Sequence, residues 1–557
     1  MATEGTATCQ PQIETGSSDV LPRGAHRRET KQDASLSEMT PNQIAEAYRA
    51  SVNEHRMKLS DASRTYKKAL FWSAVMGMTI IMESYDQILI GSFFALPAFQ
   101  KTFGFDTGNG TYQVSAPWQS ALTLVQNVGL IIGIFANGFL VDRYGNIVLV
   151  QIALVLVTGC IAILFCAKSA VMLLVGELLL GFPLGTINTI APGYCIEVVP
   201  LALRHYGPTY INLCWVFGHI LGSGVLRAFA SNTTEWAWRV PYAIQWIWPV
   251  PLFMCLFFAP ESPWYLVRKG RHDEALHALD RLSNNDVDNR ETLSMIQHTV
   301  LLERQLEFGS SIWDCFKGTD LRRTEIACMA WSSQIWTQFA LASGTYFFEV
   351  AGLPATDSFD LAIGQYAIAG VATILSMGIL EGMGRRTLWL AGLAGMFVPV
   401  VCIGILSLVP NQTPGVVWPQ GVFVLVRFFA YGISCGPIPF VFCGEIGSVR
   451  LRQKTLALSR NAFNLANLIS SCVSPYLINP TSANLKGKSA WISVGFIVLI
   501  FVWSYFRFPE TRGRSFEEID ILFAKQVPAR KFRTFEISNE EQFGQVDGKE
   551  GMDQTRA

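Results

Sequence analysis

Five ionisable residues stand inside long apolar stretches of the chain. Glu83 and Asp86 lie in the stretch that starts near Leu70, Glu177 in the one from Val171, His219 in the one from Pro208, and Arg460 in the one from Thr455. A carboxylate at the centre of a bilayer costs about 2.5–3.5 kcal/mol even on a lenient insertion scale. Acids placed there either do chemistry or are permanently paired as fasteners between helices. Three residues apart on a helix, Glu83 and Asp86 share one side. Two or three carboxyl groups in one cavity do not all ionise, so such a group holds an exchangeable proton. Arg460 is the cation that would balance the deprotonated form. Of the two readings, the proton site outweighs the fastener for Asp86 most clearly, and for Glu83, Glu177 and Arg460 by less. His219 reads as a hydrogen-bonded core histidine, and Arg227 and Arg427 as side chains snorkelling near helix ends.

The elements that must position these groups are membrane-spanning helices. Of 557 residues, 50% are apolar and 15% charged, against about 25% charged in soluble domains. The 37 Phe, 15 Trp and 15 Tyr exclude a solvated coil for the bulk of the chain. Lys+Arg and Asp+Glu both number 43, which leaves no basic footprint for nucleic acid. A bilayer crossing needs about 20 apolar residues. Twelve such segments start near Leu70, Pro117, Ile147, Val171, Pro208, Pro241, Ile326, Leu361, Thr387, Trp418, Thr455 and Ala490. The expected fold is an all-α membrane protein of two six-helix repeats. The expected boundaries are a largely disordered cytosolic tail (1–68), a first half (69–260), a cytosolic linker (261–325), a second half (326–508) and a cytosolic C-terminal tail (509–557). Short amphipathic helices are expected in the linker at Asp273–Arg281 and Thr292–Leu306. The 12 Cys contain no Cys-x-x-Cys and mostly sit in apolar segments as small hydrophobes. The polar first ~65 residues hold no apolar core of a cleavable leader. No metal-ligand spacing, phosphate loop or nucleophile elbow appears, so no catalytic residue, metal or cofactor is expected and an enzyme is the weakest reading.

Lys and Arg in the loops set orientation. With the N-terminus in the cytosol, that side gathers, among others, Arg64, Lys67, Lys68, Arg143, Arg204, Arg268, Lys269, Arg322, Arg323, Arg385, Arg386, Arg450 and Arg452; the opposite loops hold little beyond Lys101, Lys168, Arg239, Lys486 and Lys488. All three Asn-x-Ser/Thr sequons, at Asn109, Asn232 and Asn411, then fall in outer loops open to glycosylation. Both termini are expected in the cytosol.

The halves repeat. Glu197 and Arg204 recur as Glu445 and Arg452, each 248 residues on, and Pro260-Glu261 recurs as Pro509-Glu510. Gly138-Phe-Leu-Val-Asp142-Arg143-Tyr-Gly145 has a second copy in Gly378-Ile-Leu-Glu381-Gly-Met-Gly384-Arg385-Arg386. Two parallel six-helix repeats are the plan of alternating-access carriers, with the cargo held near the midplane between them.

These motifs, with Pro260-Glu-Ser-Pro263 and Pro509-Glu-Thr-Arg-Gly513, resemble those of the sugar porter family of the major facilitator superfamily over roughly residues 70–520. Glu83-Ser-Tyr-Asp86, Asn212-Leu-Cys-Trp215, Thr345-Tyr-Phe-Phe-Glu-Val-Ala-Gly352 and Arg512-Gly-Arg-Ser-Phe-Glu-Glu-Ile-Asp520 are similar to fungal α-glucoside (maltose-type) proton symporters. The resemblance implies that Asp86 is the proton acceptor, although Ser84 replaces the usual Gly before Tyr-Asp. It places Glu177 where those carriers keep an Arg, so an acidic cluster balanced by Arg460 stands in for their Asp–Arg pair. It assigns the charges of the turns, Asp142, Arg143, Glu197, Arg204, Glu381, Arg386, Glu445 and Arg452, to a cytoplasmic lock that holds the outward-open state.

A sugar site needs amides, hydroxyls and aromatic walls. The candidates are Asn212, Gln334, Gln338, Trp336, Tyr346, Phe440, Asn461 and Asn464, each weighed against an ordinary helix–helix hydrogen bond of about 0.6 kcal/mol. Trp331 and Trp248 read instead as lipid-facing or core. The expected function is proton-coupled uptake of an α-glucoside such as maltose by a monomer in the plasma membrane, its partners being sugar, proton and lipid bilayer. The alternatives are a carrier or exporter of another polyhydroxylated compound or secondary metabolite, and a non-transporting sugar sensor.

Overall fold

The computed structural model describes residues 39–535 apart from Lys58, 107–111, 201–202, 204–205, 285–287, 308–310, 340–343, 411–412, 449–450, 513 and 515. Helix α1 (Pro41–Arg56) opens it, followed by α2 (Lys67–Phe93), α3 (Ala116–Tyr144), α4 (Asn146–Phe165), α5 (Ala170–Val198) and α6 (Tyr206–Phe229). The next segment is α7 (Trp236–Ile244) and α8 (Pro249–Leu256), split by a 3-10 turn at Gln245–Ile247. Three short helices, α9 (Pro263–Arg268), α10 (His272–Leu282) and α11 (Asn289–Glu307), form the linker. The second half holds α12 (Gly318–Trp336), α13 (Gly344–Ala351), α14 (Ala355–Gly382), α15 (Arg385–Leu406), α16 (Pro414–Ile433), α17 (Ile438–Ile446), α18 (Arg452–Ile478) and α19 (Ala490–Arg507). Helix α20 (Phe516–Ala524) follows it. One two-stranded antiparallel ribbon, β1 (Phe105–Asp106) with β2 (Tyr112–Gln113), joins α2 to α3.

Among the described residues, eight segments are long and apolar enough to cross a bilayer: α3, α4, α5, α6, α14, α15, α16 through α17, and α19. The other four apolar stretches of the sequence are helical but polar or broken. Helix α2 carries Glu83 and Asp86, α18 carries Arg460 and three Asn, the α7–α8 segment breaks at Gln245, and α12 stops at Trp336 before α13 begins.

The packing repeats as the motifs do. Helix α2 lies on α6, α3 on α5, α5 on α4, and α4 on α7 and α8; in the second half α12 lies on α18, α14 on α16, α16 on α15, and α15 on α19. The halves meet along α6–α14 and α3–α18. One apolar core fills each half, and a third, smaller one around Tyr265, Leu279 and Ile296 sits under α9–α11. Part of the segment expected to be disordered is ordered. Helix α1 starts on a capping box, Thr40 with Gln43, with Pro41 in its first turn. It lies along α11, with Arg49 paired to Glu291 at 3.3 Å.

The repeated Pro-Glu-Ser/Thr motifs have a shared geometry. Glu261 accepts the Ile147 backbone N–H at 3.1 Å, capping α4, and Glu510 accepts the N–H groups of Arg385 and Arg386 at 2.7 and 3.2 Å, capping α15. Orphan amides at a helix start favour an anion. The next residue, Ser262 or Thr511, donates its hydroxyl to Glu197 or Glu445. The tight α3–α4 turn runs through Gly145 at φ +87, where a Cβ would also meet Glu261 and Tyr265.

Helices α3 and α5 approach to backbone contact, and a Cβ on Gly185 would meet the Leu130 backbone. No rotamer relieves a backbone clash. Gly185→Val is therefore expected to separate the pair at a cost of about 1–3 kcal/mol. The expected readout is a lower unfolding temperature and loss of monodisperse protein in detergent. Gly159→Val, where the added atoms meet nothing within 4 Å, should leave both unchanged.

Candidate functional site

All three intramembrane acids are buried, Glu83 at 1%, Asp86 at 2% and Glu177 at 0% exposure. Each has its own hydrogen-bonding partners. Both Asp86 oxygens are held by amides at 2.7 Å, one from Gln126 of α3 and one from Gln245 in the 3-10 turn. Glu177 accepts the Tyr242 hydroxyl at 2.8 Å. Glu83 accepts the Asn188 amide of α5 at 2.6 Å. Its second oxygen, and that of Glu177, has no hydrogen-bond partner among the described residues. Asp86 acts electrostatically on both Glu83 and Glu177, so the three acids are treated as one row.

Arg460 reaches this row from the second half. Its guanidinium donates to Asn188 Oδ1 at 3.2 Å and lies over the rings of Trp331 and Phe463, at 4.7 and 5.2 Å. Asn188 thus accepts from a cation and donates to a carboxylate, linking α2 and α5 to α18. Trp331, expected at lipid or in the core, is a floor for this cation and packs edge-on against Phe440 at 4.6 Å. His219 is held at Nδ1 by the Trp215 carbonyl at 2.8 Å, as a core histidine is.

The expected sugar residues separate into groups. Asn212 lies in the α6–α14 contact, 3.5 Å from Thr373. Gln334 accepts the Tyr431 hydroxyl at 3.1 Å. Gln338, Phe440 and Asn461 are half-buried, and Asn464 keeps a buried amide nitrogen without a partner. Trp336 turns away into a cluster with Phe339 and Phe496. Tyr346 joins a seal between the halves, where its hydroxyl meets Gln113 and Gln119 at 3.2 and 3.1 Å.

That seal lies at the end of the bundle away from the charged turns. Asn127 bonds Ser471 at 3.1 Å and Asn467 at 2.8 Å, Ser120 donates to the Cys472 carbonyl at 2.9 Å, and Asn479 donates to the Val114 carbonyl at 2.9 Å. Arg227, expected to snorkel, instead pairs with Asp360 across the halves at 2.7 Å. The ion pairs shown at the turn face among the described residues do not join the two halves. Arg268 pairs with Glu197 at 2.8 Å, Lys269 with Asp142 at 3.4 Å and Arg385 with Glu445 at 3.1 Å. In the lock as expected, Arg386 stands where Arg385 does; Arg386 binds the Tyr505 and Phe508 carbonyls instead. Arg143 lies over its neighbour Tyr144 at 5.6 Å, and Arg452 is half-buried beside Gly447. Arg204, the Glu381 side chain, Asn109 and Asn411 lie outside the described residues. Asn232 is in a loop and accepts from Thr234 of its own sequon.

Each neutral hydrogen bond contributes about 1 kcal/mol. Asn127→Ala removes two from the seal and is expected to shift the halves about tenfold or more toward parting there. The check is the rate at which a bulky hydrophilic thiol reagent modifies Cys472, read by peptide mass spectrometry. An unchanged rate would mean the seal does not hold the halves.

Sequence reasoning missed Gln126, Gln245, Asn188 and Tyr242. Buried amides within otherwise apolar stretches were the available signal for the first three.

The profile of the family described as "Sugar (and other) transporter" matches residues 72–523. The maltose permease MAL31 of Saccharomyces cerevisiae is 37% identical over 504 residues, covering 89% of this chain and 82% of that protein. The general alpha-glucoside permease of the same species is 37% identical over 500 residues, 88% of this chain and 81% of its own. In structure, the xylose transporter XylE of E. coli in a partially occluded inward open conformation aligns with a TM-score of 0.66 at 21% identity, covering 81% of this chain and all of that one.

Proposed function

The chain belongs to the sugar transporter family, a multi-pass membrane carrier rather than an enzyme, and on that premise we propose that it takes up an α-glucoside such as maltose together with protons. The observation that carries the coupling is the buried acid row with Arg460 reaching it across the halves through Asn188. The names of the yeast relatives support the substrate class. We read all twelve apolar segments as spans, in halves 69–260 and 326–508, with both termini cytosolic in the plasma membrane and the chain acting as a monomer.

The cycle then runs as follows. With the halves parted outside, the acid row takes a proton and loses charge, and sugar binds between the halves. The halves rock until the Asn127–Ser471 and Tyr346–Gln119 seal forms. In that sealed arrangement the turn-face ion pairs shown among the described residues do not join the halves, which supports reading it as inward-facing. Sugar leaves, the proton follows into the less acidic cytosol, and Arg460 balances the charge that returns to the acid row. One proton falling through 100 mV yields about 2.3 kcal/mol, and one pH unit about 1.4 kcal/mol more. Together they support roughly several-hundredfold accumulation.

The test is uptake of labelled maltose into cells expressing the chain, against a panel of sugars, with and without an uncoupler. Accumulation above equilibrium that the uncoupler abolishes supports the reading. Equilibration indifferent to the uncoupler would leave a facilitator.

A further inference from the structure

A second cluster of buried polar groups takes no part in the cycle above. Arg427 of α16 is 1% exposed, and its Nε and Nη2 have no hydrogen-bond partner among the described residues. Its guanidinium lies over the Phe428 ring at 4.5 Å, with Tyr366 and Tyr431 within electrostatic reach. One turn on, Tyr431 donates to Gln334 Oε1 and leaves Gln334 Nε2 buried and unpartnered. On α14, Gln365 is 1% exposed with Oε1 unpartnered, and its neighbour Tyr366 packs on Phe428 at 6.3 Å and on His219 of α6 at 4.7 Å. The spot therefore borders the α6–α14 contact between the halves.

An unpaired buried guanidinium costs several kcal/mol, more than a helix–helix hydrogen bond returns. No described residue supplies a partner for Nε or Nη2, and one from outside the chain would recover that cost. The unpartnered groups are three donor atoms, on Arg427 and Gln334, and one acceptor, on Gln365. A carboxylate would satisfy the donors and leave Gln365 Oε1 unpaired. Neighbouring sugar hydroxyls accept from the guanidinium in its two-pronged geometry, donate to Gln365, and set their ring's C–H face against Phe428 and Tyr366.

We propose that Arg427, with Gln334 and Gln365, binds a pair of adjacent hydroxyls on one ring of the transported sugar. The proposal rests on the α-glucoside reading and deepens it. The site is covered in the sealed arrangement and opens to the space between the halves when they part along α6–α14.

The experiment measures binding of maltose and of its monodeoxy analogues to purified chain in nanodiscs by calorimetry. Arg427→Met keeps bulk and apolarity; Arg427→Lys keeps the charge and guards against a fold that fails without it. The expected result is at least tenfold weaker maltose binding by both variants. One or two deoxy analogues should lose as much on the wild-type chain and lose nothing further on either variant. Methyl α-glucuronide should bind the wild-type chain no better than methyl α-glucoside. Unchanged maltose affinity in either variant, an equal proportional loss across every analogue, or tighter glucuronide binding overturns the proposal. Failure of the wild-type chain to bind any α-glucoside overturns the substrate reading itself, and the proposal with it.

Discussion

Asp86→Asn is expected to lower gradient-driven maltose accumulation by roughly several-hundredfold, the full concentrating power that one proton supplies under about 100 mV and one pH unit. Each Asp86 oxygen accepts one amide N–H, from Gln126 and from Gln245. Asn puts an –NH2 where one oxygen stood, so two donors face each other and one amide loses its bond. The variant also carries no proton. Its remaining transport, read as exchange of labelled for unlabelled maltose at equilibrium, should fall much less than accumulation does. The sign of the pH dependence follows from mass action. In the wild-type chain uptake rises as the outer medium is acidified, because the protonated row is the form that binds sugar. In Asp86→Asn that slope flattens. A variant that still concentrates maltose with the wild-type pH profile would remove Asp86 from the coupling path.

Much of this architecture was legible in the sequence because the bilayer makes composition informative. Apolar runs announce spans, and the cost of a buried charge marks Glu83, Asp86, Glu177 and Arg460 without any alignment. The Glu197/Glu445 and Glu261/Glu510 copies announced the repeat, and the structure shows what each pair does: cap a helix and accept a hydroxyl. What spacing does not contain is which partner an oxygen finds. Three residues apart on one helix, Glu83 and Asp86 look equivalent, yet one meets Asn188 and the other two glutamines. Those partners lie 40 to 159 residues away and were indistinguishable from other amides until helices packed. Arg427 shows the opposite failure. Its place in an apolar run near a helix end suggested a side chain reaching to the interface, but α14 packs over that face and closes it. Tyr346 and Trp336 are sugar candidates of one apolar segment in the sequence. The break between α12 and α13 turns them to different neighbours, Gln119 and Phe496.

Cutting the link between the halves is expected to have the other large effect. Asn188→Leu leaves Glu83 without its amide donor and Arg460 without its acceptor at the same time. Arg460→Leu keeps the Asn188–Glu83 bond but removes the cation from the row. Breaking a buried charged contact costs about 3–5 kcal/mol, so each single change should cut driven uptake by ~100-fold or more. The two effects should not add, since each change breaks the same bond between Asn188 and Arg460. The double variant should therefore transport about as well as the poorer single one. Asn188→Asp discriminates further. A carboxylate there still accepts from Arg460 but faces Glu83 as a second acid, so it restores the contact between halves while shifting the proton balance of the row. If the link serves coupling, Asn188→Asp recovers exchange above Asn188→Leu while its pH profile departs from wild type. If Asn188 only fastens helices, Asp and Leu differ in folded yield and share the wild-type pH profile, and additive losses in the double variant would point the same way.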